Sequence, residues 1–331
     1  MKIIETFDEL EQLAINVLNS EPDKSRLTAK DLSIIYNYVS DKLRKKWKRG
    51  AYSPVKKLLL FIPFIHKMNV KRNMKMMANL QETNNVRDDF LMHIAEYRGV
   101  YGLLSDDKSK HIFINLIAGK ILNDNRYPLT LFEKDEMQYN FCLNTRGGTT
   151  FFVESDEAFV DCGAYIGDTL LDFAEKGHLP KKYYAFEPDS KLFALLQANV
   201  NKYSRDIDLS LFCKGVSNCT ASVAFEMGDS GGKIVDSTRT NYEVHVVPID
   251  DVIHEPVSLI KMDVEGSEYE ALEGAALQIR ENSPKLAISI YHKSDDFRKI
   301  PLLIYQINPD YKNYYIRHHS YGFHETVLYV C

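Results

Sequence analysis

A short segment near the middle of the chain combines an acidic side chain with a glycine-containing turn. It reads Phe159-Val-Asp-Cys-Gly-Ala-Tyr-Ile-Gly-Asp-Thr, so that Asp161 lies near the end of an apolar run and two glycines, Gly163 and Gly167, follow it. Glycines in such a turn allow a ligand to approach the backbone closely, and the first turn of the following helix offers free N–H groups. The segment therefore predicts a small-molecule site at the end of a strand.

The turn differs from the GxGxxG fingerprint of dinucleotide-binding loops. The middle glycine of that fingerprint is missing and Tyr165 stands inside the turn, which favours a ligand without phosphates. S-adenosylmethionine is such a ligand. Its carboxylate can accept hydrogen bonds from the N–H groups of the turn, and its ammonium group can donate one to Asp161.

A second acidic residue, Glu187, follows the next predicted strand. An acidic side chain in this position can accept hydrogen bonds from both hydroxyls of a ribose, in S-adenosylmethionine or in NAD. After the third strand, Lys214-Gly-Val-Ser would place Gly215 and Val216 beside an adenine. At this point the residues leave open both a methyltransferase and a nicotinamide-dependent oxidoreductase.

The second half of the chain must position these residues, and there short apolar strands alternate with helices. The predicted strands are Ala158–Cys162, Tyr183–Phe186, Leu209–Cys213, Val257–Met262 and Leu286–Tyr291, with an inserted pair at Ala221–Phe225 and Val244–Val247. Such alternation is typical of a parallel sheet with helices on both faces. The last two strands, Tyr314–Arg317 and Thr326–Val330, leave no room for a crossover helix and predict an antiparallel hairpin. We therefore expect an α/β fold: the doubly wound, Rossmann-like sheet of class I methyltransferases, closed by a C-terminal hairpin.

Residues 1–145 predict a mostly helical N-terminal region, and the turn-rich segment that starts at Asn144 marks its boundary with a methyltransferase domain over 146–331. The N-terminus lacks the basic and apolar pattern of a signal peptide, and the five cysteines form no CxxC pair. The longest apolar run, Leu58–Ile65, is far shorter than the roughly 20 residues of a membrane span. We expect a cytoplasmic protein with reduced thiols.

The charge of the chain is unevenly distributed. Residues 42–75 contain twelve Lys or Arg and no Asp or Glu, which leaves a net charge of −17 on the rest of a chain whose total is −5. Basic residues interleaved with Trp47, Tyr52 and aliphatic side chains suit contact with an anionic lipid surface, which would place the protein at the inner face of a membrane. A solvated helical face or contact with another polyanion fits the same pattern. The acidic total makes nucleic acid an unexpected partner.

The string Ile260-Lys-Met-Asp-Val-Glu-Gly-Ser-Glu resembles the signature of the FkbM-type methyltransferase family. Together with FVDCGAYIGDT, AFEP and IRHHSYGFHETVLY, the resemblance covers about residues 155–331. It implies transfer of a methyl group from S-adenosylmethionine to a hydroxyl of a sugar, glycan or related natural product, typically in polysaccharide or natural-product biosynthesis. The expected cofactor-binding residues are Asp161, Gly163, Ala164, Tyr165, Gly167, Asp168, Glu187, Pro188, Gly215, Val216 and Asp263.

Three residues near the ends of strands four and five are candidates for the chemical step. Asp263 ends the fourth strand, Glu265 follows it, and His292 ends the fifth strand, so all three are expected at the edge where open α/β sheets bind ligands. Because a hydroxyl is a poor nucleophile while it is protonated, either Asp263 or His292 could take its proton. A divalent metal held by Asp263 and Glu265 could lower the hydroxyl pKa instead. A non-catalytic, methyltransferase-like binding module at a membrane surface is a further alternative.

Overall fold

The computed structural model of the chain describes residues 3–20, 85–132, 138–139, 153–227, 232–240 and 242–331. Its helices are α1 (Phe7–Ser20), α2 (Ile94–Leu103), α3 (Asp107–Leu122), α4 (Arg126–Leu131), α5 (Asp168–Glu175), α6 (Ser190–Val200), α7 (Glu268–Glu273), α8 (Ala276–Asn282) and α9 (Asp296–Ile307). Residues 85–92 are also helical. The strands are β1 (Ala158–Cys162), β2 (Lys182–Phe186), β3 (Asp208–Phe212), β4 (Gly215–Val216), β5 (Ala221–Met227), β6 (Gly232–Ile234), β7 (Glu243–Val247), β8 (Leu259–Met262), β9 (Lys285–Ser289), β10 (Tyr314–His318) and β11 (Thr326–Val330).

Seven of these strands form one sheet in the order β10-β11-β9-β8-β1-β2-β3. Strands β9, β8, β1, β2 and β3 run parallel, whereas β11 pairs antiparallel with both β9 and β10. The expected α/β fold with a C-terminal hairpin is confirmed. The two strands that the sequence predicts as an inserted pair are β5 and β7. They pair antiparallel with each other in a second sheet of order β4-β7-β5-β6.

Apart from the edge strand β3, the strands of the large sheet are buried on both faces, as their continuous apolar runs predict. Alternate residues point to opposite sides, so that Val160 and Ile260 pack in one core while Phe159 and Leu259 pack in the other. Leu170 of α5 and Leu196 of α6 belong to the core with Phe159. The side chains of α7, α8 and α9 join the core with Val160.

The described N-terminal helices share that core with α7–α9 and are joined to the edge strand β10. Ser105 N–H donates to Tyr314 O, and Tyr314 N–H donates to Ser105 Oγ, both at 2.9 Å. The buried Arg317 guanidinium contacts Asp106 at 2.6 Å. These bonds occupy the free edge of β10, which would otherwise offer unpaired backbone groups.

Two of the expectations fall on parts of the chain outside these ranges. The basic segment 42–75 lies outside the described residues, and so does most of the segment around the expected boundary at 145–146. The division into two domains and the lipid contact remain predictions. Among the residues that the structure describes, no helix combines the length and hydropathy that crossing a bilayer requires.

Candidate active site

A cavity of about 380 Å³ opens at the carboxyl edge of the parallel strands. Its size falls in the range of small-molecule sites, roughly 300–1,000 Å³. The residues expected from the sequence that line it are Gly163, Tyr165, Asp168, Glu187, Pro188, Gly215, Val216, Asp263 and Glu265. The glycine turn, Glu187 after β2, and Asp263 and Glu265 after β8 therefore line the same cavity.

The glycine turn is fixed against the strands on both sides of it. The N–H groups of Gly163 and Ala164 both donate to Phe186 O at 3.0 Å. Gly163 has a φ of +74°, and a Cβ atom there would lie 1.9 Å from the backbone oxygen of Asp263. Only glycine combines this left-handed backbone with so close an approach, so the turn can lie against the end of β8.

Asp161 does not line the cavity but is fully buried beneath it. It is the register partner of Lys261 in the neighbouring strand β8, and the Lys261 Nζ atom lies 2.9 Å from Asp161 Oδ1. Tyr183 donates a hydrogen bond to the other carboxylate oxygen at 2.8 Å. The sequence-based expectation of direct contact with a cofactor ammonium therefore needs correction, because two partners inside the sheet already hold this carboxylate.

Ala164, Gly167 and His292 also lie outside the cavity lining. Ala164 is buried in the core that contains α5 and α6. A Cβ on Gly167 would lie 2.8 Å from a Val200 side-chain atom, so this glycine permits α5 to pack against α6. Ala164 and Gly167 therefore pack on the side of the turn that faces the core. The sequence had led us to expect contact with a cofactor at these two positions.

Lys261 links the buried acid to the turn. Besides contacting Asp161, its ammonium donates to Gly163 O at 2.7 Å and faces the cavity. Burial opposes its charge, but the carboxylates of Asp161 and Asp263 outweigh that effect and raise the pKa of Lys261 above its usual value. The lysine is therefore charged, and it fixes the position of the turn.

Glu187 projects from the end of β2 into the cavity. Its Oε2 accepts from Tyr165 N–H at 3.0 Å and its Oε1 accepts from Asp189 N–H at 2.8 Å. Asp189 in turn caps α6 by accepting from the N–H of Lys191 at 2.8 Å. Burial raises the pKa of Glu187 to about 7, although the two backbone donors act in the opposite direction.

Asp263 is held by two phenols. Tyr139 donates to its Oδ2 at 3.0 Å, and Tyr291 donates to its Oδ1 at 3.3 Å. Burial, reinforced by the charge of Asp263, raises the pKa of both tyrosines, so both hydroxyls keep their protons and act as donors. The carboxylate is consequently oriented with part of its surface facing the cavity.

His292 lies in the loop beyond β9, which ends three residues earlier at Ser289. Its Nδ1 is 2.8 Å from Glu268 Oε1, and its Nε2 is 3.6 Å from Asp263 Oδ1 and 3.5 Å from Glu265 Oε2. Burial lowers the affinity of the ring for a proton, but these carboxylates outweigh it and raise the pKa of His292 to about 9. A ring that is already protonated near neutral pH is poorly suited to accept a substrate proton.

Sequence reasoning missed Lys261, Tyr139 and Tyr291 as residues of this site. Lys261 carries a local signal, since a lysine inside a buried parallel strand requires a partner. Tyr291 immediately precedes His292, so the rule that ligands bind at the carboxyl ends of parallel strands also pointed to it. Tyr139 carries no such signal, because it lies in the region assigned to the helical N-terminal part and reaches Asp263 only through the tertiary fold.

The comparisons with known proteins agree with this architecture. Residues 161–324 match the model of the methyltransferase FkbM domain. The crystal structure of methyltransferase FkbM from Methylobacillus flagellatus is 28% identical, with a TM-score of 0.60 over 74% of this chain and 60% of that one. The chain therefore spans less than two thirds of that relative. No curated protein matches the chain.

Two further structures are less similar to this chain. An rRNA methylase from Streptococcus thermophilus is 17% identical over 54% of this chain and 87% of its own, with a TM-score of 0.34. Aeropyrum pernix fibrillarin, solved with natively bound S-adenosyl-L-methionine, is 11% identical over 54% of this chain and 67% of its own, also with a TM-score of 0.34. On the strength of the domain match and the Methylobacillus structure, residues 161–324 of this chain form a domain of the FkbM methyltransferase type.

Proposed function

We propose that this protein transfers a methyl group from S-adenosylmethionine to a hydroxyl oxygen of a sugar, a glycan or a related natural product. One observation carries the proposal: the glycine turn, Glu187 and Asp263 face the same cavity at the carboxyl edge of the sheet. That arrangement supports Glu187 as the acid that binds the nucleoside and Asp263 as the proton acceptor. The family match argues against the nicotinamide-dependent alternative.

The cavity offers a suitable surface for each part of the cofactor. Glu187 provides carboxylate oxygens that can accept from ribose hydroxyls. Burial disfavours the negative charge of this side chain and raises its pKa, and hydrogen bonds from a bound ribose would offset that effect. An apolar wall can cover a purine ring; it consists of Val216, Phe225, Ile234, Val244 and Val246. Asp168, at the start of α5, faces the cavity and can accept from an ammonium group in place of the buried Asp161.

The charge of the cavity favours a cationic cofactor and an uncharged acceptor. Among the described residues that line it, the acidic ones outnumber the single lysine, Lys261; they are Asp168, Glu187, Asp263, Glu265 and Glu325. A sulfonium ion is attracted to such a surface, whereas a phosphate group is repelled. A neutral polyhydroxylated acceptor therefore fits better than a nucleic acid or a phosphorylated sugar.

Asp263 is the residue best placed to accept the proton of the acceptor. When bound, S-adenosylmethionine supplies a methyl group already activated by a sulfonium charge, so the protein must align the oxygen and remove its proton. Tyr139 and Tyr291 hold the Asp263 carboxylate in place while leaving it open to the cavity. With the cofactor bound, this carboxylate would take up the hydroxyl proton while the cofactor supplies its methyl group to the oxygen.

The proposal is tested first by calorimetry with the full chain. Titration with S-adenosylhomocysteine, the demethylated product, should show one saturable site, and titration with NAD should show none. Incubation with methyl-labelled S-adenosylmethionine and neutral glycans from the native host should then label an acceptor with an alkali-stable methyl ether. Binding of NAD instead of S-adenosylhomocysteine would overturn the proposal, and cofactor binding without transfer to any acceptor would favour a binding module.

A further inference from the structure

One imidazole beside the cavity is surrounded by carboxylates from two other segments of the chain. Asp263 and Glu265 follow β8, Glu268 is the first residue of α7, and His292 lies in the loop after β9. Ligand atoms of Asp263, Glu268 and His292 all lie within 4.8 Å of one another. Glu265 adds a carboxylate oxygen 3.5 Å from His292 Nε2.

The polar atoms of this cluster are not satisfied by one another. Within the described residues, neither ring nitrogen of His292 makes an aligned hydrogen bond, and Glu268 Oε2 has no hydrogen-bond partner. The contact between His292 Nδ1 and Glu268 Oε1 is short at 2.8 Å but not aligned as a hydrogen bond. These side chains are only 9% and 1% exposed. Buried polar atoms are nearly always paired, so such a group indicates that a further ligand belongs here.

The two separations from His292 Nε2 fit a shared cation better than direct pairing, whereas the 2.8 Å contact between His292 Nδ1 and Glu268 Oε1 would lengthen when an ion binds. His292 Nε2 lies 3.6 Å from Asp263 Oδ1 and 3.5 Å from Glu265 Oε2, both too long for a good hydrogen bond. Two atoms that bind one divalent ion at about 2.1 Å each stand roughly 3–4 Å apart. Small side-chain movements would bring the wider separations of the cluster, up to 4.8 Å, into that range.

We propose that Asp263, Glu268 and His292 bind a divalent metal ion, with the half-exposed Glu265 at the rim of the site. Two carboxylates and one imidazole form a donor set that suits Mn²⁺ and also accommodates Mg²⁺ or Zn²⁺. The set differs from the pair expected from the sequence, Asp263 and Glu265, because the fold brings in two buried residues from other elements. Since Asp263 also faces the cavity, the ion would lie beside the acceptor hydroxyl.

The role of the ion in catalysis rests on the proposed function, but its binding does not. A divalent cation next to a hydroxyl lowers the pKa of that hydroxyl and offsets the negative charge of the cavity. It would therefore make the proton of the acceptor hydroxyl easier to remove. Metal binding and cofactor binding can be measured separately, which keeps the two proposals distinguishable.

The test is a titration of the metal-free full chain with MnCl₂, in which electron paramagnetic resonance measures the free ion. We expect one Mn²⁺ per chain at submillimolar concentration, displaced by excess Mg²⁺ or Zn²⁺. Glu268→Gln and His292→Gln should each weaken Mn²⁺ binding at least tenfold, in line with the usual 10–100-fold losses at metal sites. Glu270→Gln, which changes an acid of the same helix outside the cluster, should bind Mn²⁺ as the unmodified protein does.

Folding of each variant is checked by circular dichroism and by calorimetry with S-adenosylhomocysteine. Absence of Mn²⁺ binding at millimolar concentration would overturn the proposal, as would equal binding by the folded Glu268→Gln and His292→Gln proteins. Should a glutamine variant fail to fold, protection of the unmodified protein against thermal unfolding by Mn²⁺ decides the question, since no shift in Tm would contradict the site. Loss of cofactor binding with intact Mn²⁺ binding would contradict only the proposed function.

Discussion

The Nζ atom of Lys261 lies 2.9 Å from Asp161 Oδ1 in the neighbouring strand. The same ammonium donates to Gly163 O at 2.7 Å. This one side chain therefore joins β8, β1 and the glycine turn. Asp161 thus contributes to the cavity indirectly, by holding the lysine that positions the turn.

Replacement of this lysine, Lys261→Met, should weaken S-adenosylhomocysteine binding at least tenfold and lower Tm. Removing one partner of a buried ion pair typically costs about 3–5 kcal/mol, because the other charge is left buried. Calorimetry and thermal unfolding measure the two effects. The double variant Asp161→Asn, Lys261→Met should recover much of the stability but not the affinity, since the bond to Gly163 O stays absent.

Lys285→Met is the matched control, because Lys285 pairs with Glu157 at 2.8 Å at the other end of the strands. It should leave cofactor affinity unchanged. Equal affinity in the Lys261→Met and Lys285→Met proteins would show that Lys261 does not position the turn.

Cofactor binding should depend on pH through Glu187. Burial raises the pKa of this carboxyl group from its ordinary 4.5 to about 7, and the ionised form accepts stronger hydrogen bonds from the ribose hydroxyls than the protonated form does. Affinity for S-adenosylhomocysteine should therefore fall as the pH drops from about 8 to 6. Glu187→Gln should bind more weakly at pH 8 and show a flat profile. A wild-type profile that persists in this variant would assign the pH dependence to another group.

The same group should influence the stability of the ligand-free protein in the opposite sense. Between pH 4.5 and about 7 the folded protein holds a proton on Glu187 that the unfolded chain releases. The contribution of Glu187 to the free energy of unfolding therefore decreases as the pH rises through this window. Urea unfolding at pH 5 and pH 8 should show a smaller difference in Glu187→Gln than in the unmodified protein.

Asp263→Asn should reduce methyl transfer by about 100-fold or more while cofactor affinity changes little. Asparagine can accept from only one of the two phenols, Tyr139 or Tyr291, through its single oxygen, and it cannot take up a substrate proton. Tyr139→Phe, which removes one bond to the carboxylate, should cause a smaller loss of kcat. Near-normal turnover by the Asp263→Asn protein would exclude this residue as the proton acceptor.

Gly163→Ala should disrupt the turn, because its Cβ would lie 1.9 Å from the Asp263 backbone oxygen and neither backbone can move freely. Gly177→Ala is the matched control, since Gly177 has a similar φ of +79° but no neighbour within 4 Å of the added atom. Both variants incur the left-handed backbone penalty of about 1 kcal/mol. Only Gly163→Ala should also lose S-adenosylhomocysteine binding; equal behaviour of the two proteins would show that the close approach is unimportant.

The basic segment predicts salt-dependent contact with anionic lipid. Residues 42–75 carry twelve positive charges and no negative ones, and each basic residue near such a surface contributes about 1 kcal/mol. The full chain should sediment with phosphatidylserine-containing vesicles at low salt and be released at high salt. A variant with six of the twelve basic residues changed to Gln should remain in the supernatant. If the unmodified chain does not sediment at low salt, the alternative interpretation of residues 42–75 as a solvated helical face is favoured.

The sequence by itself determined the order of strands and helices and the edge at which the site lies. Apolar runs such as Ala158–Cys162 and the alternation with helices are local patterns, and the carboxyl ends of parallel strands necessarily meet at one edge. The positions of Gly163, Glu187 and Asp263 in the cavity follow from that rule. The hairpin at the end of the chain was equally predictable, because its connection is too short for a crossover helix.

Only the tertiary structure decided which partners these residues have. The pairing of Asp161 with Lys261 depends on the register between β1 and β8, which no local pattern specifies. Tyr139 reaches Asp263 across 124 positions of the chain, and Glu268 meets His292 from a different element. Side-chain contacts of this kind depend on how separate elements pack, and packing also sets the burial that raises the pKa of Glu187. The sequence therefore located the site, whereas the fold assigned the roles within it.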